Sequence, residues 1–194
     1  MPEQTVVLAS GSPRRAELLR QIGIPFDVVH PYVDESVQPD EDPEAYVERL
    51  ARSKAASVAP QGRVTLAADT VVVIDGRILG KPTSEDSGIE MLLMLGGREH
   101  RVLTAIAVTD GCEMASIVVG TTVRFAEIDR DAARAYWRTG EGADKAGGYG
   151  IQGIGGILAE SITGSYSAVV GLPLSETERA LSRFGIDTWR CRLD

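Results

Sequence analysis

Cysteine and histidine are scarce in this chain, with two of each among 194 residues. Cys112 and Cys191 are neither paired at metal-ligand spacing nor numerous enough for a disulfide framework, so both are expected as reduced thiols. With only His30 and His100 available, a histidine-rich metal site is excluded. No apolar run approaches the ~18 to 20 residues that cross a bilayer, and Met1 to Gln4 lacks the basic start and apolar core of a signal peptide. A cytoplasmic protein without membrane contact is expected. Positive charge is short as well: 20 Lys and Arg stand against 28 Asp and Glu, a net charge of -8. That balance disfavours nucleic acid and anionic lipid as partners, because both are bound through cations. Any phosphate site must be a local basic pocket.

What is present belongs to a folded protein. Hydrophobic residues make up 43% of the chain, and its 21 Gly and 9 Pro are spread along it rather than gathered in repeats. This is enough for one domain or two closely joined lobes. Gln4 to Ala9 reads as a short buried strand, broken by Ser10-Gly11-Ser12-Pro13. From Arg14 an apolar-periodic helix follows, with Ser12 as N-cap, Ala16, Leu19 and Ile22 on its core face and Gly23 as its stop. A second helix spans Pro43 to Val58 behind Asp42. Its Val47, Leu50, Ala51, Lys54 and Val58 share one side, so a lysine interrupts an otherwise apolar face.

Val64 to Ala68 and Val71 to Ile74 are strand-like, and Asp75-Gly76 is a hairpin signal leading into Arg77 to Leu79. Thr83 or Ser84 caps a helix carrying Ile89, Leu92, Leu93 and Leu95 that stops at Gly96-Gly97. Asp110-Gly111 joins two long strand candidates, Arg101 to Thr109 and Glu113 to Phe125, in an extended antiparallel ribbon. A helix over Arg130 to Arg138 precedes the glycine-rich stretch Gly140 to Gly171, and a last helix starts at the capping box Ser175 to Glu178 and stops at Gly185. Mixed strands and helices with a hairpin ribbon place the chain in the α/β or α+β class with a mixed sheet.

Two nucleotide patterns nearly occur. Gly76 to Lys81 has three residues between its glycines instead of four, and Pro82 stands where a P-loop needs Ser or Thr. Gly148 to Gly153 matches G-x-G-x-x-G, but no strand precedes it and no amphipathic helix follows, so a dinucleotide fold is rejected. Leu8 to Arg15 is more informative. A strand feeding a helix N-terminus offers free N-H groups to an anion, and Arg14 and Arg15 stand where the helix dipole prefers acids. The segment reads either as a phosphate site or as an exposed basic turn. Lys54 reads as a snorkelling lysine or a ligand, and Lys81 as a loop lysine or a ligand. Asp69, at the end of an apolar strand, is costly unless paired, solvated or bound to a cation. Asp34-Glu35 is a solvated turn or a hard-cation ligand pair. Carboxylates beside lysines and arginines suit magnesium-dependent chemistry on a polyphosphate.

Six segments in order carry a resemblance: Leu8-Ala-Ser-Gly-Ser-Pro-Arg-Arg15, Val33-Asp-Glu35, Ala68-Asp-Thr70, Leu79-Gly-Lys-Pro82, Asp144-Lys-Ala-Gly147 with Gly150-Ile-Gln-Gly153, and Val170-Gly-Leu-Pro173. Together they resemble the Maf family, and the likeness runs from the first strand to the last helix. It implies one Maf-like domain over residues 1–194, with an elongated two-lobed α/β fold similar to that of inosine triphosphate pyrophosphatases and a substrate cleft between the lobes. It also implies a homodimer that cleaves nucleoside triphosphates to the monophosphate and pyrophosphate. Matched by position, Ser10, Arg14, Arg15, Lys54 and Lys81 would hold phosphates, Glu35 and Asp69 would serve a divalent cation, Mg2+ or Mn2+, and Asp69 would accept the proton. Arg14, Thr70 and Gln152 resemble the branch that acts on dTTP and UTP rather than the one acting on 7-methylguanosine triphosphate. A rival role implied by the same family is a nucleotide-binding regulator of septum formation that acts through a protein partner.

Overall fold

The computed structural model describes residues 5–59 and 62–189; Gln4, where the first strand was expected to begin, and Cys191 lie outside them. The chain divides into two compact units. The first takes the described residues up to Asp69, Thr104–Val119 and those from Gly171 onward; the second takes Thr70–Leu103 and Gly120–Val170.

In the first unit, β1 (Val6–Ala9) is buried along its whole length. It lies between β2 (Phe26–Val29) and the first half of β3 (Thr65–Ile74), parallel to both, with Leu8 level with Val28 and Leu66. Such a central parallel strand reads as an unbroken apolar run, which is why Val6 to Ala9 was legible. β2 was not expected: its four residues are too few to show a periodicity, and three of them are exposed. Helix α1 (Pro13–Gln21) joins β1 to β2. Ser12 occupies its N-cap position but makes no side-chain cap bond; instead its N-H donates to Ser10 Oγ at 3.1 Å. Helix α2 (Pro43–Val58) has the expected bounds, and Asp42 caps it by accepting from the N-H groups of Glu44 and Ala45. Its buried face of Val47, Leu50, Ala51 and Ala55 takes Lys54 inside with it, and α2 packs on β1.

β3 is one continuous strand, where two had been expected. Asp69 therefore sits in the middle of a strand and not at an end. The apolar alternation hid this, because Asp69-Thr70 looked like a break between two runs.

In the second unit, Asp75 (φ 51) and Gly76 (φ 74) form the expected tight turn into β4 (Arg77–Leu79), which pairs antiparallel with β3, Val72 opposite Leu79. Left-handed φ at both central residues matches the strand twist, as an Asp-Gly pair permits. Helix α3 (Glu85–Leu95) is capped reciprocally by Ser84 and Ser87. The remaining strands and α-helices are β5 (Glu99–Thr109) and β6 (Met114–Phe125), each with residues in both units, α4 (Arg130–Trp137), β7 (Ala159–Thr163) and α5 (Tyr166–Val170) in the second unit, and α6 (Leu174–Arg183) in the first. The strand order is β2-β1-β3-β5-β6-β7, with β4 on β3. β7 and α5 were concealed by the glycine-rich stretch that holds them. Helix α6 corrects the expected capping box: it begins after Pro173, so Ser175 to Glu178 lie inside its first turns. There the Glu178 carboxylate accepts from Ser182 and Thr188 hydroxyls instead.

The second unit's core holds a ring cluster of His100, Phe125 and Tyr149, with His100 edge-on to Phe125 at 4.8 Å. His100 Nε2 meets Tyr149 Oη at 2.8 Å, and its buried Nδ1 has no partner among the described residues. Burial pushes the His100 pKa from 6.5 down to about 4, so the unfolded chain binds a proton in that interval and the folded one does not. Stability should fall as pH drops from ~6.5 towards 4, by up to ~3 kcal/mol from this group. His100→Asn should flatten that part of the profile in chemical denaturation at pH 7 and 5. A profile identical to the parent's would refute the assignment.

Candidate active site

The first unit assembles six of the nine residues singled out in the sequence. The anchor is Asp69, buried in β3. Lys54 Nζ, from the buried face of α2, donates to Asp69 Oδ1 at 2.6 Å and lies at the same distance from Glu35 Oε1. One ammonium thus bridges two carboxylates. The interrupting lysine is no snorkelling residue: its side chain is only 9% exposed, because it has a buried acid to meet. Burial raises the Asp69 pKa above the ordinary carboxylate range, against the attraction of Lys54 and Arg15 and with the help of Glu35. A carboxyl in such a setting is a stronger base than a free one once ionised.

At the end of β1, Ser10 is buried. Its hydroxyl accepts from Ser12 N-H and from Arg15 Nη1, the latter at 3.4 Å. Arg15 Nε also donates to the Gly171 carbonyl at 2.9 Å. Arg14 is half-buried in the first turn of α1. The strand, small-residue loop and helix N-terminus, read from sequence as a phosphate site or a basic turn, are formed, with Arg14 and Arg15 in the first turn of the helix.

Glu35 is exposed, on the loop after β2, and α2 holds that loop through residues the sequence reading missed. Tyr46 Oη donates to the Glu35 carbonyl at 2.8 Å. Arg49 donates to the Ser36 carbonyl and grips Glu41 with two nitrogens, so the Glu41 carboxyl is held at about 2. Burial, with Asp69 and Glu35 nearby, pushes the Tyr46 hydroxyl up to about 12, keeping it a donor. The available signal was the pair Tyr46 and Arg49, three apart on the helix that carries Lys54.

Thr70, Lys81 and Gln152 belong to the second unit. Thr70 follows Asp69 on β3 and is half-buried; Lys81, after β4, and Gln152, in the glycine-rich stretch, are exposed.

Among the described residues no three His, Cys, Asp or Glu side chains gather to hold a metal ion by themselves. Glu35 and Asp69 nevertheless each carry a second carboxylate oxygen, a hard donor, besides the one that meets the Lys54 ammonium. That donor set fits a magnesium-type ion, which takes one or two carboxylates and completes its shell with water and substrate phosphate.

The site is thus a buried acid in a parallel-strand α/β unit, among cations of the kind that suit phosphate oxygens. Comparison with known proteins narrows the reading. The family model described as "Maf-like protein" matches residues 5–184. The dTTP/UTP pyrophosphatase of Pseudoalteromonas atlantica is 51% identical over 93% of this chain and 97% of its own, and that of Pseudoalteromonas translucida is 52% identical over 92% and 96%. The structure of a HAM1 protein from Coxiella burnetii, 18% identical, aligns with 92% of this chain and 98% of that one at a TM-score of 0.50, a likeness of fold alone. The chain belongs to the Maf-like protein family.

Proposed function

We propose that this protein is a nucleoside triphosphate pyrophosphatase that hydrolyses dTTP and UTP to the monophosphate and pyrophosphate. The observation that carries the chemistry is the Lys54 ammonium set between Asp69 and Glu35 at 2.6 Å from each. The substrate rests on the two relatives that are named for it and are about half identical over nearly their whole length. The matched span includes segments of both units, which supports reading the chain as one functional domain.

Asp69 takes the proton as a water oxygen attacks the α-phosphorus; the bond to the oxygen bridging the α and β phosphorus atoms breaks, and pyrophosphate leaves. Ser10, Arg14, Arg15 and Lys81 hold the phosphate chain and offset the charge that grows on the leaving group. Lys54, which the resemblance places among the phosphate ligands, is turned to Asp69 and Glu35 and offsets the repulsion between them. Glu35 and Asp69 would hold a divalent cation, Mg2+ in the first instance, whose chemistry is to neutralise phosphate oxygens and lower the pKa of bound water. A homodimer is the expected assembly, checked by light scattering of the purified chain.

Gln152 reads the base. The 4-keto, N3-H edge of uracil and thymine presents both an acceptor and a donor, and a side-chain amide complements both. Cytosine reverses two of those groups, so CTP should be turned over at least ~10²-fold less efficiently in kcat/KM than UTP or dTTP. Triphosphates with 5-methyl pyrimidines should be tolerated. A panel at matched concentration, scored by pyrophosphate release with Mg2+, tests this. A preference for 7-methylguanosine triphosphate or ITP would overturn the base assignment and leave the chemistry standing, whereas no pyrophosphate from any triphosphate would overturn both.

A further inference from the structure

The glycine-rich loop around Gln152 is built around an anion that the protein supplies itself. The Glu141 carboxylate accepts from the N-H groups of Gly155 at 2.9 Å and Ile154 at 2.8 Å, and from Tyr136 Oη at 2.8 Å. The same Tyr136 oxygen accepts from Gly150 N-H at 2.9 Å. Backbone on both sides of Gln152 is thereby tied to one carboxylate, directly after the residue and through a tyrosine before it. The glycines make room for it: a Cβ on Gly153 would stand 2.1 Å from Glu141 Oε2, and one on Gly155 2.7 Å from Tyr136 Oη. Successive backbone N-H groups form a nest of the kind that elsewhere takes phosphate. Burial opposes the charge on Glu141, but the N-H groups of Gly155 and Ile154 and the Tyr136 hydroxyl outweigh it, and the pKa lies below the ordinary value.

We infer that Glu141 is the positioning residue for base recognition, fixing the 150–155 backbone so that the exposed Gln152 amide is held at one place and angle. The inference rests on the reading of Gln152 given above. Selectivity by hydrogen bonding depends on groups held to a fraction of an ångström, and a loop rich in glycine cannot hold itself. The Glu141 carboxylate is engaged by this loop and by Tyr136, so its influence passes through the loop.

The test is a double-mutant cycle on the full chain with Mg2+, using UTP and CTP. Glu141→Gln replaces one acceptor by a donor that faces backbone N-H groups. It should lower the UTP-over-CTP preference about tenfold, mainly through the KM for UTP, with kcat within about threefold of the parent. Gln152→Ala should lose the same preference, and the double variant should be no less selective than Gln152→Ala alone. Hydrogen exchange at the Ile154 and Gly155 amides should quicken in Glu141→Gln. Should that variant fold poorly, Tyr136→Phe frees Gly150 N-H while leaving the carboxylate, and should lose selectivity in the same sense. Loss of selectivity in Gln152→Ala with full retention in both Glu141→Gln and Tyr136→Phe overturns the positioning role alone. Equal loss on both substrates, or additive loss in the double variant, marks a merely structural residue and overturns it too. Retention in Gln152→Ala overturns the reading of Gln152 and this inference with it.

Discussion

Asp69→Asn should release pyrophosphate from UTP at least ~10²-fold more slowly than the parent, the usual scale for loss of a general base. The substitution keeps the volume and a hydrogen-bonding oxygen for Lys54, whose Nζ also has Glu35 at 2.6 Å. Folding should therefore survive, and the sign of the stability change follows from the pKa. Burial raises the folded-state value, so the ionised carboxylate is a cost to the native state above the unfolded pKa, and its removal should leave the melting temperature at pH 8 equal or higher. The raised value also places the acid limb of kcat/KM above the ordinary aspartate range in the parent. Near-normal turnover by Asp69→Asn would sink the assignment of Asp69 as base; a large fall in melting temperature would show that its burial had been misjudged as a cost.

The second large effect is at Lys54. Lys54→Met preserves length and apolar stem but leaves Asp69 and Glu35 facing one another without the ammonium between them. Removing one partner of a buried pair costs ~3–5 kcal/mol when the other stays charged, and less when it can take a proton. Asp69 can, so its folded-state pKa should climb further. The folded variant then binds more protons than the unfolded chain across the interval above 3.8, and its stability should fall as pH rises through the new value. Turnover should drop ~10²-fold or more at neutral pH, with the acid limb displaced upward. Denaturant melts at pH 5 and 8 check the linkage: a variant relatively better off at pH 8 would refute the bridging role of the lysine.

Both effects start from residues that looked wrong for their local setting. Lys54 on the apolar face of α2 was visible because helical spacing is fixed by 3.6 residues per turn, and Asp42, Pro43 and the bounds of α2 followed from capping chemistry alone. The buried run of β1, the Asp75-Gly76 hairpin and the Ser84 cap were legible for the same reason, since each depends on a few neighbouring residues. The six matched segments likewise carried the family without any three-dimensional information.

Tertiary structure decided what depends on distant partners. That β3 continues through Asp69 is set by its neighbours in the sheet, and only this continuity puts the acid in a buried strand interior opposite Lys54, fifteen residues away in sequence. Tyr46 and Arg49 became site residues because the loop from Asp34 to Glu41 folds back onto α2, a closure no local pattern encodes. The glycines from 148 to 153 read as a failed dinucleotide motif, and only the folded chain brings Glu141 onto the N-H groups of Ile154 and Gly155. Local chemistry determined most of the elements and which residues stood out from their setting; pairing across the sheet and satisfaction of buried charge determined which of them meet.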